Sequence, residues 1–217
     1  MPTSSAPIAG LVLAAGAGSR YGMPKALARD DDGTPWLVRT IGTLTDAGCT
    51  PVIVVLGAQA AKARALLDDF GLTPSVVIAL AEDWTEGLSA SLRAGLRQAT
   101  ALPTTGLPPA PIAVAIVPVD VPGLRTSTVA RLIGSVSGAA GSGATGSDTS
   151  SVGPHTLRQA SFHARPGHPV VIGREHWAAL IDSAAGDTGA RPYLQAHDTR
   201  LVDCTDLETG LDVDTRD

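Results

Sequence analysis

Four short apolar runs rich in β-branched residues recur through the first half of this chain, and that repetition leaves few folds open. Ile8 to Ala14, Pro51 to Leu56, Val76 to Leu80 and Pro111 to Val117 carry apolar residues at consecutive positions rather than at every second one. Strands read this way when both of their faces are buried. Between the runs lie segments of helical period. Trp36 to Ala47 places Leu37, Ile41 and Leu44 at i, i+4 and i+7 with Gly48 set to cap it, Gln59 to Phe70 is helical, and Leu88, Leu92 and Leu96 mark a helix from Ser89 to Ala99. This alternation predicts an α/β fold, a mostly parallel twisted sheet flanked by helices, and argues against a sandwich or a bundle. Further on, a helix is expected to begin near Ser127. Strands are expected at Ala160 to Ala164, Pro169 to Gly173 and Arg200 to Cys204, and helices at Arg174 to Ala184 and Ala190 to His197.

The 217 residues, 44% of them hydrophobic, suffice for one core and predict one domain over residues 1–217. A net charge of −5 with no dense Lys/Arg block argues against nucleic acid as a partner, but leaves room for a nucleotide in a local pocket. No apolar stretch approaches the ~18 residues that span a bilayer. The segment MPTSSAPIAG has no basic region ahead of an apolar core, so no secretory signal is expected. Cys49 and Cys204 are too few for a disulfide framework, which predicts free thiols and a cytoplasmic location without a membrane partner. Residues 134–153, GSVSGAAGSGATGSDTSSVG, are almost all small or polar and predict a flexible insertion within the domain; residues 1–7 are expected to be disordered.

Leu11 to Leu27, LVLAAGAGSRYGMPKAL, sets a glycine-rich turn directly after the first strand. Gly16, Gly18 and Gly22 let the backbone turn sharply and offer N–H groups to an anion. Arg20 supplies a planar fork and Lys25 a point charge on a flexible stem, a pairing suited to a polyphosphate. Neither common glycine-loop motif fits. A P-loop needs its Lys immediately after the second glycine, whereas Met23 and Pro24 separate Lys25 from Gly22. A dinucleotide fingerprint needs G-x-G-x-x-G opening a helix, and Pro24 stands against an uninterrupted helix here. On spacing alone, a plain strand-to-helix turn with two solvated cations remains open.

The run LAAGAGSRYGMPKAL resembles the signature of the MobA-like nucleotidyltransferases that act on molybdenum cofactor (molybdopterin). The resemblance implies a Rossmann-like fold of the nucleotide-diphospho-sugar transferase type and a Mg²⁺-dependent reaction. In it, a nucleoside monophosphate passes from an NTP to a phosphorylated acceptor with release of pyrophosphate. It also implies that Leu13, Ala14, Ala15, Gly16, Gly18 and Ser19 wrap the nucleotide while Arg20 and Lys25 neutralise its triphosphate. LAAG at Leu13 to Gly16 with GHPV at Gly167 to Val170 is similar to the cytidylyl branch, where the guanylyl branch carries LAGG; this implies CTP rather than GTP, with molybdopterin as acceptor.

Asp120, in VPVDVPG, leaves a buried strand for a Pro-flanked turn and faces the same sheet end as the glycine loop. It is the best Mg²⁺ candidate, since that ion takes one or two carboxylates and completes its octahedron with water and phosphate. A turn Asp capping the next helix is the alternative. The closing segment GLDVDTRD sets Asp212 and Asp214 on one face if extended, and resembles the family's closing motif, with Asp214 in the metal-binding position and Arg216 where the family usually carries Pro. A frayed acidic terminus is the alternative. EDWTEGLSASLRAGL resembles the segment that closes over base and ribose, which assigns Gly87 and Ser89 to the nucleotide. Arg93 and Arg97 are expected on a solvated helix face. RPGHPVVIGREHW resembles the acceptor side, with His168 expected to position the acceptor, and Arg165 and Arg191 to hold its phosphate. GDTGARPYL, with Asp187 and Arg191, is likewise similar to the family; a plain loop entering a helix is the alternative.

Two rivals remain: transfer to a sugar phosphate or another phosphorylated small molecule, and a non-catalytic binding or chaperone module for molybdenum cofactor serving a molybdoenzyme.

Overall fold

In a computed structural model of the chain, residues 6–103, 109–134, 151–213 and 215 are described. Strands β1 (Ile8–Ala14), β2 (Val52–Leu56), β3 (Val76–Leu80), β4 (Ala113–Pro118), β5 (Leu157–Phe162), β6 (Arg165–Gly173) and β7 (Arg200–Asp203) form one sheet in the order β3-β2-β1-β4-β6-β5-β7. Only β6 runs antiparallel to its neighbours; β1 pairs in parallel with β2 and with β4, Val12 standing between Val54 and Val117. The fold is the mostly parallel α/β sheet that the alternating runs predict.

Consecutive residues of β1 divide between two cores because strand side chains alternate. Val12 and Ala14 face Leu37 and Leu44 of α1 (Trp36–Asp46), Leu67 of α2 (Ala60–Asp69) and Leu132 of α4 (Thr126–Ile133). Leu11 and Leu13 face Leu92 and Leu96 of α3 (Leu88–Ala101), Leu180 of α5 (Trp177–Ser183) and Leu194 of α6 (Arg191–Ala196). Leu92 and Leu96 are 1% and 0% exposed, so truncating either to Ala should cost about 2–5 kcal/mol. Gly95 explains a glycine inside a helix: a Cβ there would stand 2.5 Å from Leu11 Cδ1, so α3 presses on β1 more closely than Ala allows.

The second half differs from expectation in its boundaries. The strand expected at Ala160 to Ala164 ends at Phe162, and its partner begins at Arg165 instead of Pro169. His163 and Ala164 join them as a two-residue turn with φ of 50° and 63°. Such hairpin turns demand positive φ at both positions and normally announce themselves with Asn or Gly, so His-Ala carried no signal. The helix expected from Arg174 starts as a 3-10 turn, Arg174–His176, before α5. Most of the Gly/Ser-rich insertion, residues 135–150, and residues 1–5 lie outside the described residues. Among the described residues no helix is long and apolar enough to cross a membrane.

Candidate active site

The strand order reverses at β1, whose neighbours β2 and β4 lead away on opposite sides, and a crevice opens between diverging loops at such a switch point. Here it is a cleft of about 350 Å³. Its wall is Leu13 to Ser19 from the β1 loop, Pro118 to Asp120 from the β4 end, Lys25, Trp84, Thr85, Gly87, Leu88, Ser91 and Asp187.

The glycine loop is built as a tight return. Gly22 N–H donates to Gly18 C=O at 2.8 Å, and Gly18 has φ +63° with its missing Cβ only 1.8 Å from Met23 O. No other residue fits there. Gly16 has open space where a Cβ would stand, so a ligand can approach its backbone. Pro24 opens a 3-10 turn, Lys25–Leu27, in place of a longer helix, and this brings Lys25 Nζ to 2.8 Å from Asp120 Oδ2.

Asp120 is not a helix cap. The N-cap of α4 is Arg125, whose side chain does no capping. Asp120 Oδ1 is buried and has no hydrogen-bond partner among the described residues. A buried carboxylate oxygen left bare is costly unless something else binds it. Its main-chain carbonyl accepts from Val213 N–H at 2.9 Å, so the closing segment returns to the β4 loop and sets Asp212 close by, with its side chain exposed. Asp214 lies outside the described residues. Among the described residues no three His, Cys, Asp or Glu side chains cluster as a metal cage. Carboxylate oxygen of the kind Asp120 offers is the hard donor that suits Mg²⁺ or Mn²⁺.

His168 Nδ1 is likewise buried without a partner among the described residues. Burial holds its pKa below the usual imidazole value; the charges of Asp120 and Asp212 pull it back up, and Arg191 pushes it down. That shift favours the neutral ring, and the Asp120 carboxylate is close enough to act on it electrostatically. Arg191 is exposed at the start of α6 and close enough to act on His168 electrostatically. Arg20 and Arg165 are exposed, and neither forms part of the cleft wall. Cys49 and Cys204 are buried and unbonded, with burial pushing their thiols up to about 12 and about 11, so neither is a nucleophile.

Ser89 is fully buried and its hydroxyl accepts from Gly189 N–H at 3.2 Å, away from the cleft; Ser91, two residues on, lines it. Gly87 has φ +103°, and its missing Cβ would lie 2.2 Å from Asp187 Oδ1, so the turn Gly186–Thr188 rests directly on the start of α3. Arg93 corrects the expectation of a solvated face. Its side chain is 14% exposed, and it donates to Asp83 Oδ2 at 2.8 Å, Glu86 Oε2 at 2.7 Å and Ala184 C=O at 3.0 Å. The hydrogen bond from Arg93 holds the Asp83 carboxyl below its usual range. Sequence reasoning also passed over Trp84 and Thr85; the signal present was the one tryptophan of the chain set in a glycine-closed polar loop.

A family model described as the MobA-like NTP transferase domain matches residues 10–201. The nicotine blue oxidoreductase of Paenarthrobacter nicotinovorans is 36% identical over 218 residues, covering 96% of this chain and 92% of its own. The crystal structure of Rv0371c from Mycobacterium tuberculosis H37Rv is 26% identical, covers 98% of this chain and 95% of its own, and superposes with a TM-score of 0.73. The same protein in complex with manganese gives 24% identity, 91% and 88% coverage and a TM-score of 0.65. Molybdopterin-guanine dinucleotide biosynthesis protein A from Archaeoglobus fulgidus shares the fold, at 12% identity, 96% and 93% coverage and a TM-score of 0.62.

Proposed function

The chain belongs to the MobA-like NTP transferase family, whose fold is that of nucleotidyltransferases, and from that premise we propose that it transfers CMP from CTP to molybdopterin, releasing pyrophosphate. The observation that carries the reading is the inner end of the cleft. An ion pair between Lys25 and Asp120 sits beside a glycine turn whose backbone is open to a ligand, and one Asp120 oxygen is left without a partner among the described residues.

In this reading the triphosphate lies along Gly16 to Ser19, where backbone N–H groups and Lys25 neutralise its oxygens, while Arg20, exposed outside the cleft wall, would have to turn inward to add its charge. Asp120 is the carboxylate that would hold Mg²⁺, with Asp212 or Asp214 completing the protein's share, and the ion supplies charge neutralisation at the phosphate oxygens. The manganese complex of Rv0371c supports a divalent ion in this fold. The acceptor's terminal phosphate oxygen attacks the α-phosphorus in line, the bond to the β-phosphate oxygen breaks, and pyrophosphate leaves. A phosphate monoester is largely dianionic at neutral pH, so no strong base is needed. Neutral His168 serves by positioning, donating or accepting one hydrogen bond, with Arg191 nearby for acceptor charge. Positioning and charge neutralisation then supply the rate.

The 36% identical relative named an oxidoreductase favours a second reading, in which the same cleft serves a redox reaction. One panel separates them. Purified protein is given a divalent ion, each NTP in turn, and molybdopterin or a sugar phosphate, with pyrophosphate as the readout; in parallel it is given NADH or NADPH with a reducible dye as electron acceptor. Release of pyrophosphate with CTP and molybdopterin supports the proposal. Release with a sugar phosphate only moves the acceptor, pterin binding without release favours a carrier module, and turnover of the nicotinamide alone selects the redox reading.

A further inference from the structure

The outer half of the cleft has two lips that come from distant parts of the chain. One is the 3-10 turn Trp84–Glu86, which presents Trp84 and Thr85; the other is the turn Gly186–Thr188, which presents Asp187. Neither belongs to the sheet, and a turn with few partners of its own opens easily. A single guanidinium reaches both. Arg93 Nη2 bonds Asp83 and Glu86, the residues on either side of Trp84 and Thr85, and Nη1 bonds the carbonyl of Ala184, two residues before Gly186.

We propose that Arg93 is a positioning residue that sets the width of the cleft by clamping these two lips to one helix. The geometry suits Arg and no other cation: a rigid planar fork directs its N–H groups to three acceptors at once, where an ammonium would have to choose. The anchor is firm, since α3 is pressed onto β1 at Gly95 and Leu11. Trp84 is also backed from below, its Cβ lying 2.7 Å from where a Gly57 Cβ would stand, so the indole is held between the β2 end and the clamp. Ser89 adds a second tie to the far lip through Gly189 N–H. The ligand portion that fits between an indole and a carboxylate-bearing turn is a planar ring carrying hydrogen-bond donors, such as a nucleobase or a pterin. That consequence rests on the nucleotide reading above; the clamp itself does not.

The test uses full-length protein. Trp36 and Trp177 are 4% and 2% exposed, so acrylamide quenching of tryptophan emission reports mainly Trp84, and Trp84→Phe verifies the assignment. In Arg93→Met the quenching constant should rise, and the KM for the NTP should increase by about tenfold while kcat stays within about twofold, the pattern of lost ground-state positioning. Arg93→Lys should fall between Met and the wild type. Asp83→Asn/Glu86→Gln, which cuts the clamp at its more exposed end, should reproduce the effect and covers the case in which Arg93→Met does not fold. Unchanged quenching and unchanged KM in the folded variants would overturn the clamp. A wild-type protein that binds no NTP would instead refute the nucleotide reading, and the quenching comparison would still judge Arg93.

Discussion

The two ends of the cleft are held by opposite means. At the inner end Lys25 and Asp120 are 14% and 21% exposed, lie in the loops that follow β1 and β4, and meet beside a turn that only glycine can follow at Gly18. At the outer end the anchoring carboxylates are 39% and 61% exposed, and the lips they hold are turns outside the sheet. A rigid charged end suits the part of a reaction where charge develops, and an adjustable end that offers an indole and polar groups suits recognition of a ring. Substitutions at the inner end should therefore cost turnover, and those at the outer end affinity.

The sharpest way to break that division is at the ion pair. Lys25→Ala and Asp120→Ala should each lower kcat by about 10²–10³, the scale of one lost electrostatic contact to the transition state, with circular dichroism unchanged. Near-parental rates for both would move the chemistry elsewhere. Trp84→Ala should raise the KM for the NTP by about tenfold with little change in kcat, on the scale of one lost ring-stacking contact; a fall in kcat alone would erase the distinction between the ends. Ser89→Ala leaves the Gly189 N–H without its partner and should cost about 1 kcal/mol in urea unfolding, with a small rise in KM. The mildest expected effect is one of pH. His168 has a folded pKa below its unfolded value of about 6.5, so the fold favours the neutral ring; that stability is fully present above pH 6.5 and is lost as pH falls from there toward the folded pKa. Thermal melts between pH 5 and 7 should decline in the wild type and be flatter in His168→Gln, and parallel declines would show that the imidazole is not the titrating group.

The inner end was legible in the sequence because its signals are local. A β-branched run followed by glycines locates a loop at a strand end, and an Asp directly after the fourth run lands on the same edge once the strands are parallel. The outer end was not. Arg93 lies four residues from Arg97 on the side away from the leucines, which reads as solvent, yet its partners are 7, 10 and 91 residues away. Ser89 looks like a free hydroxyl at a helix start and is instead spent on a residue 100 positions on. Long-range partners of this kind leave no period in the sequence. The His163-Ala164 turn escaped for a different reason, since tertiary pairing of β5 with β6 imposes positive φ on residues that do not favour it.

On the proposed function, the glycine turn, Lys25 and Asp120 together hold a triphosphate and a divalent ion. A crystal grown with CTP and Mn²⁺ and measured at the manganese edge tests this directly. The expected map shows an anomalous peak in coordination contact with Asp120, phosphate density against the backbone of Gly16 to Ser19, and Lys25 turned from Asp120 toward the phosphates. An empty glycine turn, with Lys25 still paired to Asp120 and the nucleotide bound elsewhere, would contradict it.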